Sequence, residues 1–235
     1  NMQTILVSVV CLMLLSTAMM QIASAASSTK ILLWEDFESN RNLKNVWSFV
    51  SGVLPDNVGG VTSGGSWKVV DDGTGNRVYQ AQSEVGELIR GTAAFAGDTR
   101  WKDYTIEART LTTDSHLGLI VCADSTGTNY YDVYVTVWKP DTTEDHNTVS
   151  IEKHTNGIWG RTQLSSGSIP KVIQNTWIDI KVVVSNEVQN GVSGTLVKVF
   201  CKLDGPNEQY PSIPQATTFD TTLPFTSGRI GLLFY

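Results

Sequence analysis

Residues 130–138 read Tyr-Tyr-Asp-Val-Tyr-Val-Thr-Val-Trp, and their alternation decides the fold. Successive side chains of a β-strand point to opposite faces, so one face of this segment carries Tyr131 and three valines. Such a face is typical of a strand that packs on a core. The opposite face carries Tyr130, Asp132, Tyr134, Thr136 and Trp138. An aromatic and hydrogen-bonding face can stack on sugar rings, so the segment is also the best indication of function.

The same two-faced pattern recurs along the chain. Short alternating or β-branched runs are separated by clusters of Gly, Asn, Asp, Pro and Thr, and no stretch keeps a helical apolar period over three turns. The predicted strands are Trp67–Asp71, Arg77–Ala81, Tyr104–Leu111, Leu117–Ala123, Tyr131–Trp138, Thr148–His154, Trp177–Val184, Thr195–Leu203 and Arg229–Tyr235. We therefore expect an all-β fold, most economically a two-sheet antiparallel sandwich.

The beginning of the sequence predicts export. Residues 5–20 form an apolar run, and Ala23-Ser24-Ala25 follows it with the small-x-small pattern of a signal-peptide cleavage site. The run is short for a membrane span. We expect residues 1–25 to be a signal peptide and residues 26–235 to form a single jelly-roll domain that is secreted or lies at the cell surface, with no membrane span after cleavage.

The charge balance argues against a nucleic-acid partner. The chain has a net charge of −6, and its lysines are scattered rather than grouped. Proteins that bind nucleic acids usually carry a basic patch that neutralises phosphates. No Lys/Arg block indicates an anionic membrane surface either.

Eight segments, taken in order, carry a resemblance to a known superfamily. They are Trp34–Glu38, Trp67–Gly73, Trp101–Glu107, Leu117–Val121, Asn129–Val133, Trp177–Val182, Val197–Gly205 and Ser227–Leu232. Together they resemble the concanavalin A-like lectin/glucanase superfamily, especially its laminin-G-like jelly rolls. The resemblance implies a jelly-roll sandwich that lectins, glycosidases, lyases and adhesion modules share, so it names no single activity.

The sequence departs from this superfamily at its end. Such domains commonly continue after the Gly-x-Ile-Gly-Leu strand into a last strand, whereas this sequence stops at Tyr235. Either the chain is truncated or the missing edge is filled from elsewhere. An uncovered edge invites strand addition, and Ala26–Leu33 could be the donor strand of a filament. Self-association through an edge strand is therefore one expected interaction.

The polar faces of several strands supply candidate glycan contacts. If these strands neighbour one another, one sheet presents a broad surface for a polysaccharide or glycan. The ligand-binding candidates are Tyr130, Asp132, Tyr134, Trp138, Glu152, His154, Trp159, Asp179 and Lys181. The alternative for the aromatic residues is ordinary packing beneath a loop, and for the polar residues a solvated surface.

No catalytic motif is recognisable. The superfamily's glucan hydrolases resemble Glu-x-Asp-x-x-Glu on one strand, and this pattern is absent. Asp132, Glu152 and Asp179 could still converge as a carboxylate pair of a hydrolase, and His154 or Tyr134 could be the base of a lyase. We expect a non-catalytic, lectin-like carbohydrate-binding module. The alternatives are a structural or adhesive subunit that polymerises at an open edge, and a polysaccharide hydrolase or lyase.

Calcium is the expected ion, because it takes oxygen ligands from carboxylates and backbone carbonyls. The candidate ligands are Glu35, Asp36 and Asp204, with Asp71 and Asp72 in a loop that also suits a tight hairpin turn.

Two cysteines, Cys122 and Cys201, follow the predicted cleavage site. Export would permit a disulfide between them, and the alternative is two small buried apolar side chains.

Overall fold

Alternating apolar side chains build two sheets that share one core. The computed structural model describes residues 30–38, 46–50, 65–83, 92–111, 116–137, 147–157, 160–173 and 175–234. Within these ranges the strands are β1 (Trp47–Val50), β2 (Gly65–Asp71), β3 (Arg77–Ser83), β4 (Thr92–Ala96), β5 (Thr105–Leu111), β6 (His116–Ala123), β7 (Tyr130–Thr136), β8 (Thr148–His154), β9 (Arg161–Ser168), β10 (Trp177–Gln189), β11 (Val192–Leu203), β12 (Ala216–Asp220) and β13 (Arg229–Phe234).

The described strands form two larger sheets and a hairpin. The seven-stranded sheet has the order β1–β4–β13–β6–β7–β8–β9, and the four-stranded sheet has the order β12–β11–β10–β5. Strands β2 and β3 pair as a separate hairpin. Every one of these pairings is antiparallel. The predicted all-β antiparallel jelly-roll sandwich is confirmed.

One hydrophobic core lies between the two sheets. Its residues come from the inward faces of β6, β7 and β8 on one side and of β10 and β11 on the other. Tyr131, Val133 and Val135 are fully buried, as the alternation along β7 predicts. Over Trp177–Val184 of β10 the burial alternates strictly, because Ile178, Ile180, Val182 and Val184 face the core.

The end of the described chain lies inside a sheet. Strand β13 pairs with β4 on one side and with β6 on the other. The edges of the seven-stranded sheet are β1 and β9. The strand that was expected to border an open edge therefore has neighbours on both sides. Polymerisation by strand addition stays a prediction and would have to use another edge.

The chain divides into two units, residues 1–34 and 35–235. All the strands above belong to the second unit. Of the first unit the structure describes residues 30–34, which form no strand or helix. The predicted cleavage after Ala25 lies outside the described residues and stays a prediction.

The two cysteines are free and buried. Cys122 is the second-last residue of β6 in the seven-stranded sheet, and Cys201 lies on β11 in the four-stranded sheet. The disulfide that export would have permitted is not formed. Each thiol is a small buried side chain on its own sheet, and burial raises the pKa of both thiols to about 12.

A buried ion pair fixes the segment after β12 against the seven-stranded sheet. Lys153 Nζ donates to Asp220 Oδ2 over 2.6 Å, and its side chain and that of Asp220 are 12% and 5% exposed. The Tyr131 hydroxyl also donates to Asp220 Oδ2, and it accepts the backbone N–H of Phe225. Burial acts to raise the pKa of Asp220, but the hydrogen bonds from Lys153, Tyr131 and Thr222 outweigh it and hold that pKa below its ordinary value of 3.8.

Replacing Asp220 with asparagine should destabilise the fold by about 3 kcal/mol at pH 7, because Lys153 would stay buried without its counter-ion. The folded-state pKa of Asp220 is lowered, so its contribution is present above the unfolded-state value near 4 and is lost as the pH falls through the folded value. Urea unfolding of both proteins at several pH values measures this, and the difference should shrink in acid.

The matched control is Lys181→Ala, which removes a half-exposed pair with Glu107. Exposed pairs contribute about 0–1 kcal/mol, so this variant should be near wild type. Equal stability losses in the two variants would contradict the role of the buried pair.

Candidate functional site

The pairing of β7 with β8 gathers three titratable side chains on one sheet face. Asp132 lies directly opposite Glu152, and Tyr130 lies opposite His154. These residues occupy alternate positions of their strands, so their side chains share the face that points away from the core. We call Asp132, Glu152 and His154 the charged cluster.

The charged cluster is buried, which corrects the expectation of an open ligand face. Asp132 and His154 are 0% exposed, Glu152 is 5% exposed, and Tyr130 is 1% exposed. Neighbouring strands of the same face contribute a second apolar cluster: Ala93, Phe95, Ile120, Ala123, Tyr130 and Leu233. Alternation assigns a side chain to a face correctly, but it does not tell whether the face is covered.

The geometry of the charged cluster centres on one imidazole nitrogen. His154 Nε2 lies 3.7 Å from Glu152 Oε2 and 3.9 Å from Asp132 Oδ2. The imidazole stacks on the ring of Tyr130, with centroids 4.6 Å apart and planes inclined by 13°. Ser150 Oγ donates a hydrogen bond to Glu152 Oε1 over 3.4 Å. The imidazole is thus stacked on the ring of Tyr130, and its Nε2 atom faces the two carboxylates.

A glycine makes room for one of the carboxylates. Gly118 on β6 pairs with Tyr134 in register, and a Cβ atom built there would lie 2.7 Å from Asp132 Oδ1 and 3.2 Å from Leu233 Cβ. Any other residue at position 118 would displace the Asp132 carboxylate. The sequence contains this glycine, but only the register shows what it accommodates.

Several buried polar atoms of the charged cluster lack hydrogen-bond partners among the described residues. They are Glu152 Oε2 and both ring nitrogens of His154. Two carboxylates directly opposite each other on neighbouring strands also repel. Burial, together with the negative charges of Asp132 and Glu152, raises the pKa of Tyr134 to about 12. The cluster is therefore a site of negative potential, in which Glu152 Oε2 and the two His154 ring nitrogens are available as ligand atoms.

The accessible part of this face lies beside the charged cluster. Tyr134 is half-buried, and Arg161 at the start of β9 has a 54% exposed side chain. Arg161 Nε lies 3.6 Å from Glu152 Oε2, and its charge acts to lower the pKa of Tyr134. Arg161 pairs with His154 in register, so it belongs to the same face. Sequence reasoning missed Arg161, because a lone arginine in a polar segment gives no signal.

The structure separates Asp179 and Lys181 from the other predicted ligand residues. Both lie on β10 in the four-stranded sheet, so the single broad surface expected from the sequence is not formed. There Asp179 pairs with Lys202 at 2.7 Å and Lys181 with Glu107 at 3.3 Å. Sheet membership depends on non-local pairing, which alternation along one strand does not reveal. Trp138 and Trp159 lie outside the described residues.

The carboxylates proposed as calcium ligands make local contacts, and calcium at these positions stays a prediction. Glu35 and Asp36 accept the backbone N–H groups of Phe37 and Glu38, and Asp204 pairs with Arg109. Asp71 and Asp72 accept N–H groups inside their own turn, as a tight hairpin requires. Among the described residues, the group of three whose ligand atoms all lie within 4.8 Å of one another is the charged cluster. That group could hold a metal ion.

Comparison with known proteins supports the fold. A solved structure of a carbohydrate-binding module, CBM66 from Bacillus subtilis, superimposes with a TM-score of 0.50. The two sequences are 15% identical, and the match covers 81% of this chain and 89% of the module. No protein-family model matches the chain, and no curated protein matches it. Because the identity is low, the likeness establishes a shared β-sandwich rather than a shared ligand.

Among the described residues there is no helix that is long and apolar enough to cross a bilayer.

Gly118→Ala should disturb the charged cluster, because the added methyl group would collide with Asp132 Oδ1 and Leu233. We expect a loss of about 1–3 kcal/mol in the free energy of unfolding, as is usual for overpacking. Gly205→Ala is the control, since its Cβ would meet only the flexible Glu208 side chain. Urea denaturation compares the two. A Gly118→Ala protein as stable as the control would contradict the described packing.

Proposed function

We infer that this protein is a carbohydrate-binding module that holds a glycan on the face of the seven-stranded sheet that carries Tyr134 and Arg161, without catalysing a reaction. The observation that carries this proposal is the meeting of a half-buried tyrosine, an exposed arginine and buried carboxylates on one sheet face. The fold that the chain shares with a carbohydrate-binding module supports it.

The side chains of Tyr134 and Arg161 complement the chemistry of a sugar. An aromatic ring buries the C–H surface of a pyranose or furanose, and Tyr134 offers such a ring. The guanidinium of Arg161, whose side chain is exposed, can donate hydrogen bonds to hydroxyl oxygens. Ligand sites typically combine an apolar wall with a few placed polar groups in this way.

The four-stranded sheet is less suited to the same task. Its outward charges are engaged in pairs with one another, and Lys181 and Lys202 both lie over the ring of Tyr210, at 5.5 and 5.4 Å. A ligand there would have to break existing ion pairs. Of the ligand contacts predicted from the sequence, Tyr134 therefore remains in the proposed glycan site. Asp179 and Lys181 form surface ion pairs instead.

A glycan array of neutral and uronate-containing polysaccharides, probed with and without calcium, should identify a ligand. Calorimetry with that ligand should then show that Tyr134→Ala and Arg161→Ala each weaken binding about tenfold, the equivalent of about 1.4 kcal/mol for a lost ring or charged contact. Tyr134→Phe should keep most of the affinity, because it keeps the ring.

The matched controls are Lys181→Ala on the four-stranded sheet and Tyr210→Ala, whose ring lies under Lys181 and Lys202, and both should bind as wild type does. Loss of binding in these controls but not in the Tyr134 and Arg161 variants would contradict the assigned surface. An array without any bound glycan would contradict the proposed function itself.

Polysaccharide hydrolysis is the second candidate function, because the register places Asp132 and Glu152 side by side. A hydrolase needs two carboxyl groups, one as acid and one as base or nucleophile. If the bound glycan released reducing ends, and Asp132→Asn abolished that release, the hydrolase would replace the non-catalytic module.

Secretion belongs to the same proposal and is supported by the apolar run at residues 5–20 and by Ala23-Ser24-Ala25. When the whole chain is expressed in a secreting host, the protein in the medium should begin at Ala26, as measured by intact mass. Retention inside the cell at full-length mass would contradict secretion.

A further inference from the structure

We propose that Asp132, Glu152 and His154 bind a divalent transition-metal ion, with zinc as the ion that best fits the ligand set. The proposal goes beyond glycan binding and does not depend on it. It rests on the position of three ligand side chains and on a fully buried histidine that points into the group.

The distances suit a metal better than they suit direct hydrogen bonds. His154 Nε2 lies 3.7 and 3.9 Å from the two carboxylate oxygens, which is too far for a hydrogen bond. Around a tetrahedral zinc ion with ligands at about 2.0–2.1 Å, neighbouring ligand atoms lie roughly 3.3–3.4 Å apart. A shortening of about half an ångström or less would bring His154 Nε2 to that spacing from each carboxylate oxygen, and all three ligand atoms already lie within 4.8 Å of one another.

The burial of the His154 imidazole without hydrogen bonds to the described residues is a second observation, independent of the spacing of the ligand atoms, that points to a metal ion. Its side chain is 0% exposed, and neither ring nitrogen has a hydrogen-bond partner among the described residues. A buried polar group without a partner is costly, so such atoms in a folded protein call for an explanation. Neutral imidazole is among the commonest metal ligands in proteins.

Charge also favours a divalent cation. Asp132 and Glu152 bring two negative charges into a site from which water is largely excluded. Arg161 Nε lies 3.6 Å from Glu152 Oε2, and the side chain of Arg161 is half exposed. Lys153 is engaged by Asp220 on the opposite side of the sheet. A divalent ion would neutralise both carboxylates at once.

The donor set distinguishes between ions. Calcium prefers six to eight oxygen ligands, whereas one imidazole and two carboxylates suit zinc and related first-row ions. Three protein ligands leave a fourth position for a water molecule. The calcium expected from the sequence is therefore not the ion that this group would select.

The test uses the whole protein after dialysis against EDTA, titrated with zinc chloride and, separately, with calcium chloride in a calorimeter. We expect one equivalent of zinc to bind and calcium to bind at least tenfold more weakly. His154→Gln and Glu152→Gln should each weaken zinc binding about 100-fold, because each removes one of three ligands. The control is a His116→Ala/His146→Ala double variant, which removes the chain's other histidines and should bind zinc as wild type does.

The melting temperatures of the proteins, measured with and without zinc, are a second test that applies even if one variant folds poorly. Glu152→Gln removes one of two repelling carboxylates, so without metal it should melt at or above the wild-type temperature, while zinc should no longer raise its melting point. A histidinium ion shared between two carboxylates would give the opposite result, namely a lower melting point for Glu152→Gln and no response of the wild type to zinc. That result, or zinc binding lost only in the double variant, would overturn the proposal.

Discussion

The in-register pairing of β7 with β8 is the constraint on which both the core and the candidate site depend. It places Val133 against Ile151 on the core side and Asp132 against Glu152 on the other side. Because strand side chains alternate with a period of two, a slip of one residue would bring the carboxylates into the core and expose the valines. The same register that buries the apolar face therefore concentrates negative charge on the opposite face. Like charges placed opposite each other destabilise a sheet, so the nearby Arg161, a bound cation or a proton would stabilise this arrangement.

Much of the fold could be predicted from the sequence, because most strands carry a clear apolar–polar alternation. The nine predicted strands are all present, and the alternation predicted for Trp177–Val184 is reproduced residue by residue. The strands that escaped prediction have weak local signals. Strand β4 is rich in alanine, β9 is almost entirely polar, and β1 and β12 are only four and five residues long. They are strands because neighbouring strands pair with them, which is a tertiary effect that short-range patterns do not contain.

The candidate site could be predicted in part. Alternation correctly assigned Tyr130, Asp132 and Tyr134 to one face of β7, and Glu152 and His154 to one face of β8. It could not show that most of these side chains are buried, nor that Asp179 lies on the other sheet. Both properties depend on which strands are neighbours and on what covers a face. The role of Gly118, which leaves space for the Asp132 carboxylate, depends on the register of β6 with β7 in the same way.

The charged cluster thus links the fold to both proposals, since it underlies the glycan surface at Tyr134 and Arg161 and offers ligands for a metal ion. Anomalous X-ray diffraction above the zinc absorption edge, from crystals grown with zinc, tests this most directly. We predict one strong anomalous peak between His154 Nε2 and the carboxylates of Asp132 and Glu152. A map with His154 well ordered and no peak at this position would contradict the claim that the cluster is a ligand site.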